Sequence, residues 1–133
     1  MVWRMRLLLD SHAFLWLTNE PERLSNQARA ALEDPTSNLL VSAASIWELA
    51  IKYHLGKLPM AKAVVEDFYG AVARYALTVI DIKPHHGLLA DSFQSAHRDP
   101  FDRLLAAQSR LEQAPLVTAD EVIRVLPGLE WFW

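Results

Sequence analysis

Two aspartates three residues apart open the segment HRDPFDRLLAAQS at residues 97–109, just ahead of an apolar stretch with helical spacing. Asp99 at the N-cap, Pro100 at the first helical position and Asp102 in the first turn satisfy free backbone N–H groups and complement the helix dipole. The same pair of carboxylates is also half of a site for a hard cation, and the segment by itself favours the commoner use, the cap. Three further acids bear on the choice. Asp10 directly follows the apolar run at residues 7–9, Asp120 follows LVTA at residues 116–119, and Glu48 sits inside SIWELAIK at residues 45–52.

Each of these acids has a structural use of its own. An aspartate after a strand caps the next helix. Ser45, Glu48 and Lys52 share one helix face, where a solvated Glu48–Lys52 pair contributes about 0.3–0.5 kcal/mol; the stripe reads equally as solvated surface or as the wall of a polar cleft. Taken together, Asp10, Glu48, Asp99, Asp102 and Asp120 place an acid on each of four segments at a point that can face one cleft. Clustered carboxylates resist ionising together, so a cation is needed to hold them. Oxygen-only ligation suits Mg2+ or Mn2+, and such ions orient a phosphodiester and activate water.

Other chemistries fit less well. The four glycines, at 56, 70, 87 and 128, form no phosphate-cradling loop. The histidines at 12, 54, 85, 86 and 97 lack zinc-type spacing, although His12 and His97 lie beside candidate acids. The absence of cysteine excludes thiolate chemistry and disulfides and fits a reducing compartment.

The elements that must position these acids alternate between strand and helix. Strands are expected at residues 5–9, 38–42, 77–81 and 115–120, with an edge strand in LEWFW at residues 129–133. Helices are expected at 11–17, from the Ser25 cap to about 33, from the Ser42 cap to the Gly56 stop, and at 60–76, 86–93, 100–112 and 121–125. That alternation predicts a single α/β domain over residues 1–133 with a parallel sheet covered on both faces. Ligands of such sheets bind beyond the carboxyl ends of the strands, where Asp10 and Asp120 fall.

The net charge of −3, from 13 basic and 16 acidic residues without a basic run, leaves nucleic-acid contact to a local patch. The N-terminal apolar run is too short for a signal peptide or a membrane span, and a cytosolic protein is expected. An apolar fraction of 52% with five tryptophans suggests that a partner covers part of the surface.

The order LLLDSHAFLW, SAASIWELAIKYHLGKL, HRDPFDRLLAAQS, LVTAD closely resembles the PIN-domain ribonucleases, specifically the VapC-type toxins of toxin–antitoxin pairs. The resemblance spans nearly the whole chain. It implies a three-layer α/β/α sandwich with a central parallel sheet, an acidic Mg2+ or Mn2+ site, homodimers, and endonuclease activity on RNA that a cognate antitoxin blocks. Carried over by residue, the family acids fall on Asp10, Glu48, Asp102 and Asp120. Asp99 is the additional acid of the HRDPFDR subgroup, expected as helix cap and auxiliary ligand. The hydroxyl after the first acid, commonly threonine, is Ser11; Ser42 or Ser45 and Thr118 are expected to hold acids in place. Lys52, Lys57, Arg98 and Arg103 are candidates for phosphate contacts. Two other readings stand beside the nuclease: a catalytically inactive binding module of the same fold, and a receiver-like protein with Asp81 as phosphoacceptor, which lacks the expected late lysine because none follows Lys83.

Overall fold

The computed structural model describes residues 5–93 and 99–133. Five short strands make one parallel sheet: β1 (Arg6–Leu9), β2 (Asn38–Ser42), β3 (Thr78–Ile80), β4 (Leu116–Val117) and β5 (Trp131–Phe132), in the order β3-β2-β1-β4-β5. β1 lies at the centre, with Leu8 in register with Leu40 on one side and with Leu116 on the other. Alternate side chains of a strand point to opposite faces, and here both faces are buried, which is why the strand segments read as continuous apolar runs.

One face packs Leu7, Leu9 and Val41 against Phe14, Leu15 and Leu49; the other packs Leu8, Leu40 and Leu116 against Ala90, Leu105 and Ala106. The first layer comprises α1 (Ser11–Asn19), α2 (Asn26–Glu33), α3 (Ala43–His54), α4 (Lys62–Glu66) and α5 (Phe68–Arg74). The second comprises α6 (Pro84–Ser92) and α7 (Pro100–Leu111). The result is the three-layer α/β/α sandwich with a central parallel sheet. Among the described residues, no helix is long and apolar enough to cross a membrane.

Local chemistry sets the helix ends. Asp10, Ser25, Ser42 and Asp99 each accept a backbone N–H in the first turn of α1, α2, α3 and α7. α3 stops where Gly56 takes φ +73° and Lys57 N–H closes back on the Lys52 carbonyl at 3.0 Å.

Two expected elements differ. The helix expected at 60–76 is a 3-10 turn (Pro59–Ala61) followed by α4 and α5, broken at Asp67, whose backbone leaves the helical region at φ −141° and ψ 70°. The Asp67 carboxylate then caps the next turn by accepting from Gly70 N–H at 3.0 Å. Gly70 permits that approach, since a Cβ there would stand 2.1 Å from an Asp67 oxygen. The short helix expected at 121–125 is only a 3-10 turn at Ile123–Val125.

Candidate active site

In an open parallel sheet the crevice for a ligand opens where successive connections leave in opposite directions. Here that place is between β1 and β4, because the chain leaves β1 towards β2 on one side while β4 flanks it on the other. Asp10 follows β1 and Thr118 follows β4, and Asp10 N–H donates to the Val117 carbonyl at 3.1 Å, which joins the two strand ends.

Asp10 is buried, 8% exposed. Its carboxylate accepts from Ala13 N–H at 2.7 Å and from the Thr118 hydroxyl. Burial nevertheless raises its pKa above the ordinary carboxylate value: desolvation outweighs those two hydrogen bonds and the attraction of His12, and the charge of Glu48 adds to the rise. The Thr118 hydroxyl also accepts from Asp120 N–H at 3.1 Å, so one side chain ties the first acid to the last segment. Asp120 itself is exposed, and its carboxylate accepts from Val122 N–H at 2.9 Å, which holds it on a local turn.

The stripe on α3 faces inward. Ser45 and Glu48 are 1% and 4% exposed, and Glu48 is held from both sides. Ser11 Oγ donates to its Oε1 at 2.5 Å and Lys52 Nζ to its Oε2 at 2.7 Å. Lys52 is partly desolvated, which pulls its pKa down. The hydrogen bond Lys52 donates to Glu48 and the charges of Glu48, Asp99 and Asp102 more than compensate and raise it. The ammonium is thus the common neighbour of α3's acid and the two acids that begin α7. Ser42 Oγ is spent on the helix start, accepting from Ala44 N–H at 3.0 Å, while buried Ser45 Oγ has no partner.

On α7, Asp99 accepts from Phe101 N–H at 2.9 Å and from Asp102 N–H at 3.4 Å, so the expected cap is present. Asn caps nearly as well as Asp, whereas Ala does not. Asp99→Ala should therefore lower unfolding stability by about 1 kcal/mol and Asp99→Asn should leave it within a few tenths, read from denaturant melts.

The sequence-predicted acids are brought to one edge in two hydrogen-bonded groups, Asp10–Thr118–Asp120 and Ser11–Glu48–Lys52, with Asp99 and Asp102 in the field of Lys52. Among the described residues, no three His, Cys, Asp or Glu side chains stand close enough to share one metal ion as they are placed. His12 and Lys57 are exposed, and His97 and Arg98 lie outside the described residues. Asp81 is exposed beside β3, an edge strand two places from β1. A receiver needs its third strand next to its first, so that reading fails on strand order.

Residues 7–129 match the PIN domain family. The chain belongs to that family. This PIN domain is 34% identical over 119 residues to ribonuclease VapC22 of Mycobacterium tuberculosis, covering 89% of each chain. A shorter match, 56% identical over 34 residues, covers 26% of this PIN domain and 24% of ribonuclease VapC16 from the same organism. Solved structures share the fold. VapBC2 from Rickettsia felis, bound to a DNA fragment from its promoter, superposes with a TM-score of 0.69 at 16% identity, covering 97% of this PIN domain and 99% of that chain. DNA-bound VapBC from Salmonella typhimurium gives 0.68 at 18% identity, covering 96% and 97%.

Two features of this PIN domain went unread in its sequence. Trp47 packs edge to face with Phe101, 5.4 Å between ring centres, directly beside the candidate acids. The only signal was position, each aromatic preceding a candidate acid by one residue. Away from the site, His86 and Gln108 are fully buried beneath Glu112, where Gln108 donates to the Asp81 carbonyl at 3.2 Å. A glutamine on the apolar face of AAQS was the available hint.

Proposed function

We propose that this PIN domain is a divalent-metal-dependent RNA endonuclease, the toxin of a toxin–antitoxin pair, working at the β1/β4 edge. The observation that carries the reading is the buried pairing of Asp10 with Thr118 and of Glu48 with Ser11 and Lys52, two carboxylates held by hydrogen bonds at the ligand-binding edge of the sheet. Glu48 already has the Lys52 ammonium, but burying Asp10 on the neutral donors Ala13 N–H and Thr118 is unfavourable unless a cation joins it. The donor set is entirely oxygen and fits Mg2+ or Mn2+. The unpartnered Ser45 hydroxyl in the same wall leaves polar capacity for a water or a substrate oxygen.

Asp10, Glu48, Asp102 and Asp120 would hold the metal, with Asp99 as auxiliary ligand. When bound, the ion supplies the charge that orients the phosphodiester, activates water and steadies the leaving oxygen. Ser11 and Thr118 fix the orientation of Glu48 and Asp10, and Lys52 offers its ammonium to the substrate phosphate. An antitoxin blocks the cleft with a cation of its own, an arginine on these acids, in the way Lys52 already engages Glu48.

Exposed Tyr69, Leu88, Val122, Val125 and Trp131 give a homodimer and the antitoxin apolar surface to cover. A monomeric mass by light scattering at micromolar concentration argues against the dimer.

The deciding experiment incubates RNA with the purified chain, with Mg2+ or Mn2+ and with chelator, and maps the new ends. Cleavage only with metal, together with a melting temperature that rises with metal, is expected. A folded chain that binds RNA but never cleaves it would leave the fold as an inactive binding module.

A further inference from the structure

Trp47 is 62% exposed at the rim of the cleft, although tryptophan carries the largest apolar surface of any side chain. It precedes Glu48 by one residue on α3, and its ring meets Phe101, which precedes Asp102 on α7, at 78°. The half-buried Phe101 braces the indole on one side and leaves the rest of its surface open. The other described tryptophans are engaged differently: Trp131 lies under the Arg124 guanidinium at 4.0 Å, and Trp16 contacts His12, Trp133 and Arg23.

The surroundings identify the occupant. Protein interface cores are depleted in charge, but this aromatic pair joins α3 and α7, the two helices whose Glu48, Lys52, Asp99 and Asp102 interact. A nucleotide suits both parts, with its phosphate on the Lys52 ammonium and its base on the ring. The geometry points to Trp47, braced by Phe101, as a stacking platform for one unpaired base next to the scissile phosphate. This rests on the nuclease reading and adds to it a residue that grips the substrate by an unpaired base, since the faces of a base inside a duplex are already covered.

The test uses a fluorescein-labelled, unstructured RNA of about twelve nucleotides, kept intact by an Asp102→Asn background in Mg2+ and followed by anisotropy. Trp47→Ala in that background should weaken binding about tenfold, with Trp47→Phe in between, while the same strand annealed to its full complement binds equally to all three. Replacing the stacked base by an abasic site should weaken the Trp47 protein and leave the Trp47→Ala protein unchanged, a coupling that a merely structural role does not produce. In the cleavage-competent chain, Trp47→Ala should raise KM more than it lowers kcat. Equal binding by Trp47→Ala, or abasic losses that simply add to it, overturns the platform. A fall in oligomeric mass without loss of RNA binding overturns it in favour of a contact between copies. If the Trp47 protein binds no RNA and the unaltered chain cleaves none, the nuclease reading fails first, and that result is distinct from a failure of Trp47 alone.

Discussion

Asp102→Asn is expected to abolish metal-dependent RNA cleavage while leaving the metal-free protein folded. The two uses of this side chain make different demands. In the first turn of α7, capped by Asp99, the charge of Asp102 complements the helix dipole, and losing it costs about 0.3–1 kcal/mol. That loss leaves catalysis untouched. As a ligand for a hard cation, the carboxylate is replaced by a much poorer neutral amide. Removal of preorganised charge stabilisation of this kind lowers a rate by a factor on the order of 10²–10³ or more. Lys52 is attracted to Asp102 as well as to Glu48 and Asp99, so the metal-free stability changes little in either direction. Cleavage rates and melting curves, each with and without Mn2+, separate the cases, and a fully active Asp102→Asn protein refutes the ligand role.

The architecture was legible because both faces of this sheet are buried. Continuous runs such as NLLVS mark β2, and the caps Asp10, Ser25, Ser42 and Asp99 mark the helices that follow. The break at Asp67 was not legible, since residues 60–76 keep an acceptable helical pattern on both sides of it. What ends α4 is a backbone conformation stabilised by the Asp67–Gly70 cap, and periodicity carries no trace of it. In the site, Asp10 could be found from its place after β1. The stripe Ser45–Glu48–Lys52 could not be assigned, because a polar line on an apolar helix reads the same towards water as towards a cleft. Ser11, donating to Glu48 from the first turn of α1, turns that line inward. The link from Asp10 to Asp120 through Thr118 likewise exists only once β1 and β4 are paired.

Asp10→Asn separates the stability of the cleft from its activity, and pH is the variable that shows it. Burial raises the pKa of Asp10 above 3.8, so over the range between 3.8 and the raised value the folded protein holds a proton that the unfolded chain has released. Stability without metal therefore falls as pH rises through that range and levels off above it. Asparagine still accepts the Ala13 N–H as a helix cap but does not titrate. The variant should match wild type in acid and melt at higher temperature than wild type near neutral pH, with the gap opening as pH rises from 3.8 to the raised pKa of Asp10 and constant above it. Mn2+ should reverse the order. It stabilises the wild type by binding the ionised carboxylate, gives the variant a much smaller shift, and supports cleavage only by the wild type, a loss again on the order of 10²–10³ or more. A buried aspartate kept for packing alone would give a variant that still cleaves RNA and gains as much from Mn2+ as the wild type. A carboxylate that destabilises the empty fold at the pH where the enzyme works, and is recovered by a divalent ion, is instead a site built around its cation.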